Sequence, residues 1–217
     1  MSRLNWREDD VLVVIDAQND FCPGGALAVP DGDAIMPLVN RLAAEARHVV
    51  LSQDWHPKDQ VSFASAHGRA PFSTVTLGYG EQVLWPDHCV QGSWGAEFHP
   101  TLRDGALLRA EMIVRKGHNP AVDSYSAFFE NDHRTATGLA GWLRDRGFRR
   151  CVFAGLALDF CVRYSAEDAA AQGFEAAIIL DATRAIDLNG SRAAALAALA
   201  ERGIALLRGD AATGRTA

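Results

Sequence analysis

Short runs of aliphatic and β-branched residues recur along the chain, separated for the most part by stretches with helical spacing, and this alternation constrains the fold more than any other feature. The runs are VLVVI (Val11 to Ile15), HVVLS (His48 to Ser52), MIVRK (Met112 to Lys116), CVFAG (Cys151 to Gly155), AAIILD (Ala176 to Asp181) and a weaker IALL (Ile204 to Leu207). They read as parallel strands buried on both faces. Helical patterns fill Asp33 to Ala46, with Ile35, Leu38, Val39 and Leu42 on one face, and then Gly138 to Arg146, Cys161 to Gln172 and Ser191 to Glu201. Strand and helix in alternation predict an α/β fold with a mostly parallel six-stranded sheet.

With 217 residues and 48% apolar content, the chain can bury one large core without disulfide staples. A single domain is expected over residues 1–210, with an insertion at about 54–109 that bears the site. That stretch is rich in Gly, Pro, His and aromatics and has no strong period, and a loop so long is usually functional. The polar residues 211–217 are expected to form a flexible tail. The four cysteines, Cys22, Cys89, Cys151 and Cys161, are widely spaced without a twin-cysteine motif, so free thiols are expected.

Charge is mildly acidic, with 21 basic and 27 acidic residues, and no basic stripe could neutralise a run of phosphates. Nucleic acid is therefore not an expected partner. No apolar run approaches the roughly 20 residues that cross a bilayer, and the start MSRLNWREDD has no apolar core or cleavage site, which reads as a cytoplasmic protein without membrane partners. One sequence does not write its oligomeric state, and a homo-oligomer stays open.

In an open parallel sheet, ligands bind beyond the carboxyl ends of the strands. The first run ends in Asp16, the second in Asp54 and His56, the third in Lys116, and the fourth in a turn leading to Cys161. At a helix N-terminus a cysteine is favoured as the reactive thiolate, although a free cysteine is also often a small buried hydrophobe. Asp16 and Lys116 could form an ordinary ion pair, but a carboxylate and an ammonium beside a thiol also activate a nucleophile. Asp54 and His56 are two apart, so an extended backbone points both the same way, and His88 in WPDHCV supplies a third ligand to one metal ion. Zinc, iron and manganese all suit this donor set, with zinc as the default. A non-haem iron oxygenase would use the same donors but leave Cys161 and Lys116 without a role. A nucleotide-binding regulator lacks its glycine fingerprint here.

IDAQNDFCPGGALAV (Ile15 to Val29), SQDWHP (Ser52 to Pro57), VSFASAHG (Val61 to Gly68), LWPDHCVQGSWGAEFHP (Leu84 to Pro100), VRKG (Val114 to Gly117), DSYSAFF (Asp123 to Phe129) and GLALDFCV (Gly155 to Val162) resemble, in order, signature segments of bacterial nicotinamidases (pyrazinamidases) of the isochorismatase-like cysteine hydrolase superfamily. The resemblance implies a doubly wound, three-layer α/β/α domain that hydrolyses nicotinamide to nicotinate and ammonia in NAD salvage, through a cysteine thioester. It implies Asp16, Lys116 and Cys161 as the triad and Asp54, His56 and His88 as ligands of a divalent metal, with Ser62 where some relatives have a fourth ligand. Phe21, Trp85 and Tyr125 fall where the family walls the pyridine ring. The Leu156–Ala157 bond stands where the family has a cis peptide, with the N–H groups of Ala157 and Cys161 as oxyanion donors. Gln60, Leu158 and Phe160 depart from the commoner residues at their positions. Another amidase of the superfamily, acting on a carbamoyl or ureido compound, is the nearest alternative, and such relatives generally lack the metal set.

Overall fold

A computed structural model describes residues 2–209, so the expected tail at 211–217 lies outside the described residues. The strands are β1 (Ser2–Arg3), β2 (Asp10–Ile15), β3 (Val49–Asp54), β4 (Thr74–Leu77), β5 (Gly80–Val83), β6 (Met112–Lys116), β7 (Arg150–Leu156), β8 (Glu175–Arg184) and β9 (Ala205–Arg208). The helices are α1 (Met36–Glu45), α2 (Leu139–Asp145), α3 (Arg163–Ala171) and α4 (Ser191–Glu201). Seven strands form one sheet in the order β1-β9-β8-β7-β2-β3-β6, and every neighbouring pair runs parallel. The expected count of six is therefore one short. The extra strand, β1, is two residues long and exposed, and as an edge strand it needs no apolar run to mark it.

Both faces of the sheet are covered, which explains why β2, β3 and β7 are buried at every residue. Leu12 and Val14 face one core with Leu38, Val39 and Leu42 of α1. Val11, Val13 and Ile15 face the other, with Leu139 of α2, Ala166 of α3 and Leu199 of α4. Alternation along β2 thus supplies both layers. Among the described residues no helix is long and apolar enough to cross a membrane, and all four cysteines are free.

Two stretches depart from simple expectation. The segment expected as one helix from Cys161 begins instead as a π-type turn over Leu158–Val162, and α3 follows from Arg163. The insertion carries the antiparallel pair β4 and β5. At the top of the sheet Gly155 has φ of +117°, and a Cβ there would stand 2.0 Å from the Ile15 carbonyl oxygen. Only glycine lets β7 approach β2 so closely where both strands deliver site residues. Replacing it with alanine should lower the folding free energy by about 1–3 kcal/mol or more, read as a shifted urea midpoint at unchanged slope. An unmoved midpoint would refute this account.

Candidate active site

Four neighbouring strands, β7, β2, β3 and β6, bring their carboxyl ends together at one edge. β3 and β6 pair in a register that sets Asp54 directly opposite Lys116. Asp16 follows β2, and the turn after β7 carries Cys161. The Lys116 ammonium is fully buried and reaches Asp54 Oδ1 at 2.6 Å and Asp16 Oδ2 at 2.8 Å. It also donates to the Ser124 carbonyl at 2.8 Å and lies 3.5 Å from Cys161 Sγ. Ligand atoms of Asp16, Asp54 and Cys161 all fall within 4.8 Å of one another. The three expected triad residues are therefore in contact.

The environment assigns each a condition. Burial raises Asp16, with Lys116 offsetting part of this and Asp54 adding to it, so its carboxyl is pushed up to about 6. Its Oδ1 accepts the Ser52 hydroxyl at 2.6 Å, while Oδ2, although close to Lys116, has no well-aligned hydrogen-bond donor. That oxygen keeps a lone pair free for a proton. Burial would strip the charge from Lys116, but the two carboxylates outweigh it and hold the ammonium well above its ordinary value. For Cys161, burial dominates over the Lys116 cation and drives the thiol well above its ordinary range. Burial thus works against the thiolate expected from a helix N-terminus, since Cys161 is only 7% exposed.

Beside the triad, Asp54, His56 and His88 hold their ligand atoms within 4.8 Å of one another, and all three are buried. His56 Nδ1 lies 2.9 Å from the Gly117 carbonyl and His88 Nδ1 lies 2.8 Å from the Pro86 carbonyl. A carbonyl can only accept, so each Nδ1 carries the hydrogen, and each Nε2 turns toward Asp54 Oδ2, at 3.6 and 3.9 Å. Ligating imidazoles are oriented in this way. Burial and the neighbouring His56 push His88 down to about 4, so its ring is a neutral ligand. Burial opposes charge on His56, but Asp54 outweighs it and draws positive charge to that edge. Gln60 donates to the same Gly117 carbonyl at 3.0 Å, so this departure braces His56. Gly117 packs against the His56 ring, where a Cβ would stand 2.3 Å from Cε1. The Ser62 hydroxyl is buried without a partner, as a polar atom kept for an ion or a water would be. The residues fit a divalent cation.

A cavity joins the two sets, lined by Phe21, Trp85, Tyr125, Ala157 and Cys161 together with Asp54, His56 and His88. Every expected wall residue borders it. The Leu156–Ala157 bond is cis, and the Ala157 carbonyl accepts from the N–H groups of Phe160 and Val162, skipping that of Cys161. Sequence reasoning missed four contributors: Ser52, which holds Asp16; Ser124, whose carbonyl holds Lys116; Asp123, which lines the cavity 3.9 Å from His56 Nδ1; and Gln82, which donates to the Tyr125 hydroxyl. Ser52 carried a usable signal, because it stands two residues before Asp54 on the same strand face.

Comparison with known proteins bears on the family and the fold. The isochorismatase domain family matches residues 10–211. A nicotinamidase of Acinetobacter baylyi is 49% identical over 190 residues, covering 87% of this chain and 87% of that one. The solved structure of an Acinetobacter baumanii nicotinamidase and pyrazinamidase superposes with a TM-score of 0.91 at 48% identity, over 94% of this chain and 98% of that one. A pyrazinamidase of Pyrococcus horikoshii, solved in complex with zinc, superposes with a TM-score of 0.74 at 34% identity, over 92% and 99% of the two chains.

The buried ammonium makes the site sensitive to charge removal. Lys116→Met leaves Asp16 and Asp54 buried without their cation, which should cost about 3–5 kcal/mol in the metal-free protein. Denaturant titration of chelated wild type and variant measures it, and equal stabilities would contradict the shared ion pair.

Proposed function

The chain belongs to the isochorismatase family, and from that premise we propose that it is a nicotinamidase that cleaves the carboxamide of nicotinamide through Cys161. The observation that carries this reading is the meeting of Cys161, Asp16 and Lys116 with the Asp54, His56 and His88 set around one aromatic-walled cavity. Nicotinamide is a flat neutral ring with a basic nitrogen at one side and an amide at the other, and it needs what this cavity offers. Phe21, Trp85 and Tyr125 supply apolar walls, and Cys161 stands where the carboxamide carbon would be attacked.

Asp54, His56 and His88 would hold a divalent cation, with the Ser62 hydroxyl as a further donor. Bound there, zinc, iron or manganese supplies a Lewis-acidic centre for a pyridine nitrogen or a water. The chain's own residues perform the proton chemistry. Asp16 Oδ2 accepts the thiol proton, and the sulfur forms its bond to the carboxamide carbon as that proton leaves. A carboxyl near 6 suits a group that must both take and return a proton near neutral pH. The N–H groups of Ala157 and Cys161 hold the tetrahedral oxyanion, where one such donor typically contributes about 2.7–4 kcal/mol of barrier lowering. Asp16 then returns the proton as the C–N bond breaks and ammonia departs, leaving a thioester. Asp16 next activates a water, the thioester is hydrolysed, and nicotinate leaves with the thiol restored. Lys116 stays charged throughout and stabilises whichever of Asp16 and Cys161 carries the negative charge.

Pyrazinamide has the same shape and a nitrogen at the same ring position relative to the amide, so it is accepted as well. Residues 1–210 act as one domain, and the product serves NAD salvage.

Cys161→Ala should abolish ammonia release from nicotinamide while nicotinamide still binds by calorimetry. Steady turnover by that variant would refute covalent catalysis. His56→Ala and His88→Ala should each lower the bound metal found by elemental analysis, and full stoichiometry in either would remove that residue from the ligand set.

A further inference from the structure

Among the described residues, Tyr125 alone borders both the reaction cavity and a second cleft, whose walls include Tyr79, Phe129, Glu130 and Tyr164. On the cavity side its ring meets Trp85 and Phe160 edge-on, with centroids 6.1 and 5.7 Å apart. Toward the cleft it meets Tyr164 at 5.4 Å. Its ring therefore forms part of the wall of both spaces. We propose that Tyr125 sets the upper size of the aromatic amide, acting as a fixed partition whose removal joins the cavity to the cleft; the proposal rests on the nicotinamidase reading.

A partition limits size only if it cannot swing aside, and the hydrogen bonds hold it from both ends. The Tyr125 N–H donates to Asn131 Oδ1 at 2.9 Å. Its hydroxyl accepts from Gln82 Nε2 at 2.7 Å and from Trp85 Nε1 at 3.1 Å. The Gln82 amide cannot flip to release it, because Nε2 also donates to the Val83 carbonyl and Oε1 accepts from Asn131 Nδ2. Asn131 thus anchors both the Tyr125 backbone and the glutamine that grips the Tyr125 hydroxyl. Gln82 sits on β5, so the hairpin in the insertion locks the ring in place. Such rigidity exceeds what a mere apolar contact surface needs.

The test compares kcat/KM for quinoline-3-carboxamide, a ring-enlarged nicotinamide, with that for nicotinamide. Tyr125→Ala should raise the ratio by about tenfold or more, and Tyr125→Phe, which keeps the ring but loses both hydrogen bonds to its hydroxyl, should raise it by less. General loosening of the site could also raise the ratio, so a second change is needed. Adding Tyr164→Trp to Tyr125→Ala refills the cleft and should bring the ratio back down, while Tyr164→Trp alone should not move it. If Tyr125→Ala fails to fold by circular dichroism, Tyr125→Leu takes its place with the same expectation. A flat ratio in the opened variant, or no reversal by Tyr164→Trp, overturns the proposal. A wild-type enzyme that releases no ammonia from nicotinamide overturns the nicotinamidase reading instead.

Discussion

One buried ammonium organises the top of this sheet. Lys116 is held between Asp54 on the neighbouring strand and Asp16 one strand further, with the Cys161 sulfur within reach. Two carboxylates against one lysine leave this buried group short of positive charge, and the imidazoles beside Asp54 open toward the same deficit. Buried charges of one sign are tolerated only with compensation. Positive charge beside Asp54, on His56 or on a cation, and a proton on Asp16 would each supply such compensation. Cys161 and the Asp54, His56 and His88 cluster therefore share one electrostatic environment.

The sheet was legible in the sequence for a physical reason. Strands covered on both faces carry unbroken apolar runs, so β2, β3 and β7 announce themselves. β1 does not, because two exposed residues at an edge are stabilised by their ladder and not by burial. The hairpin of the insertion is hidden likewise, since most of its residues stay partly or wholly exposed. The π-type turn at Cys161 has the same spacing of apolar residues as the start of a helix, and periodicity alone cannot tell the two apart.

Site residues were readable where a charge closes an apolar strand, as at Asp16, Asp54 and Lys116, because an ionised group in that position demands an explanation. Gln82, Asp123 and Ser124 gave no such sign. They are ordinary polar residues, Gln82 in the long insertion and Asp123 and Ser124 in the segment after β6, and their roles arise only when these segments fold over the strand ends. The protonation of Cys161 was also out of reach of sequence. Its position at the start of a helical segment argues for a thiolate, and the enclosure that works against this is a property of the assembled cavity.

The strand order carries a further consequence for how the molecule is made. β2 lies between β3, which follows it closely in the chain, and β7, which begins at Arg150. During synthesis its DVLVVI segment must wait, with one edge open, until most of the polypeptide has left the ribosome. Apart from Asp10 it is apolar and mostly β-branched, and such an unpaired edge is a template for aggregation. Expression yield should therefore depend more on how this early segment is shielded by chaperones than on the stability of the finished protein.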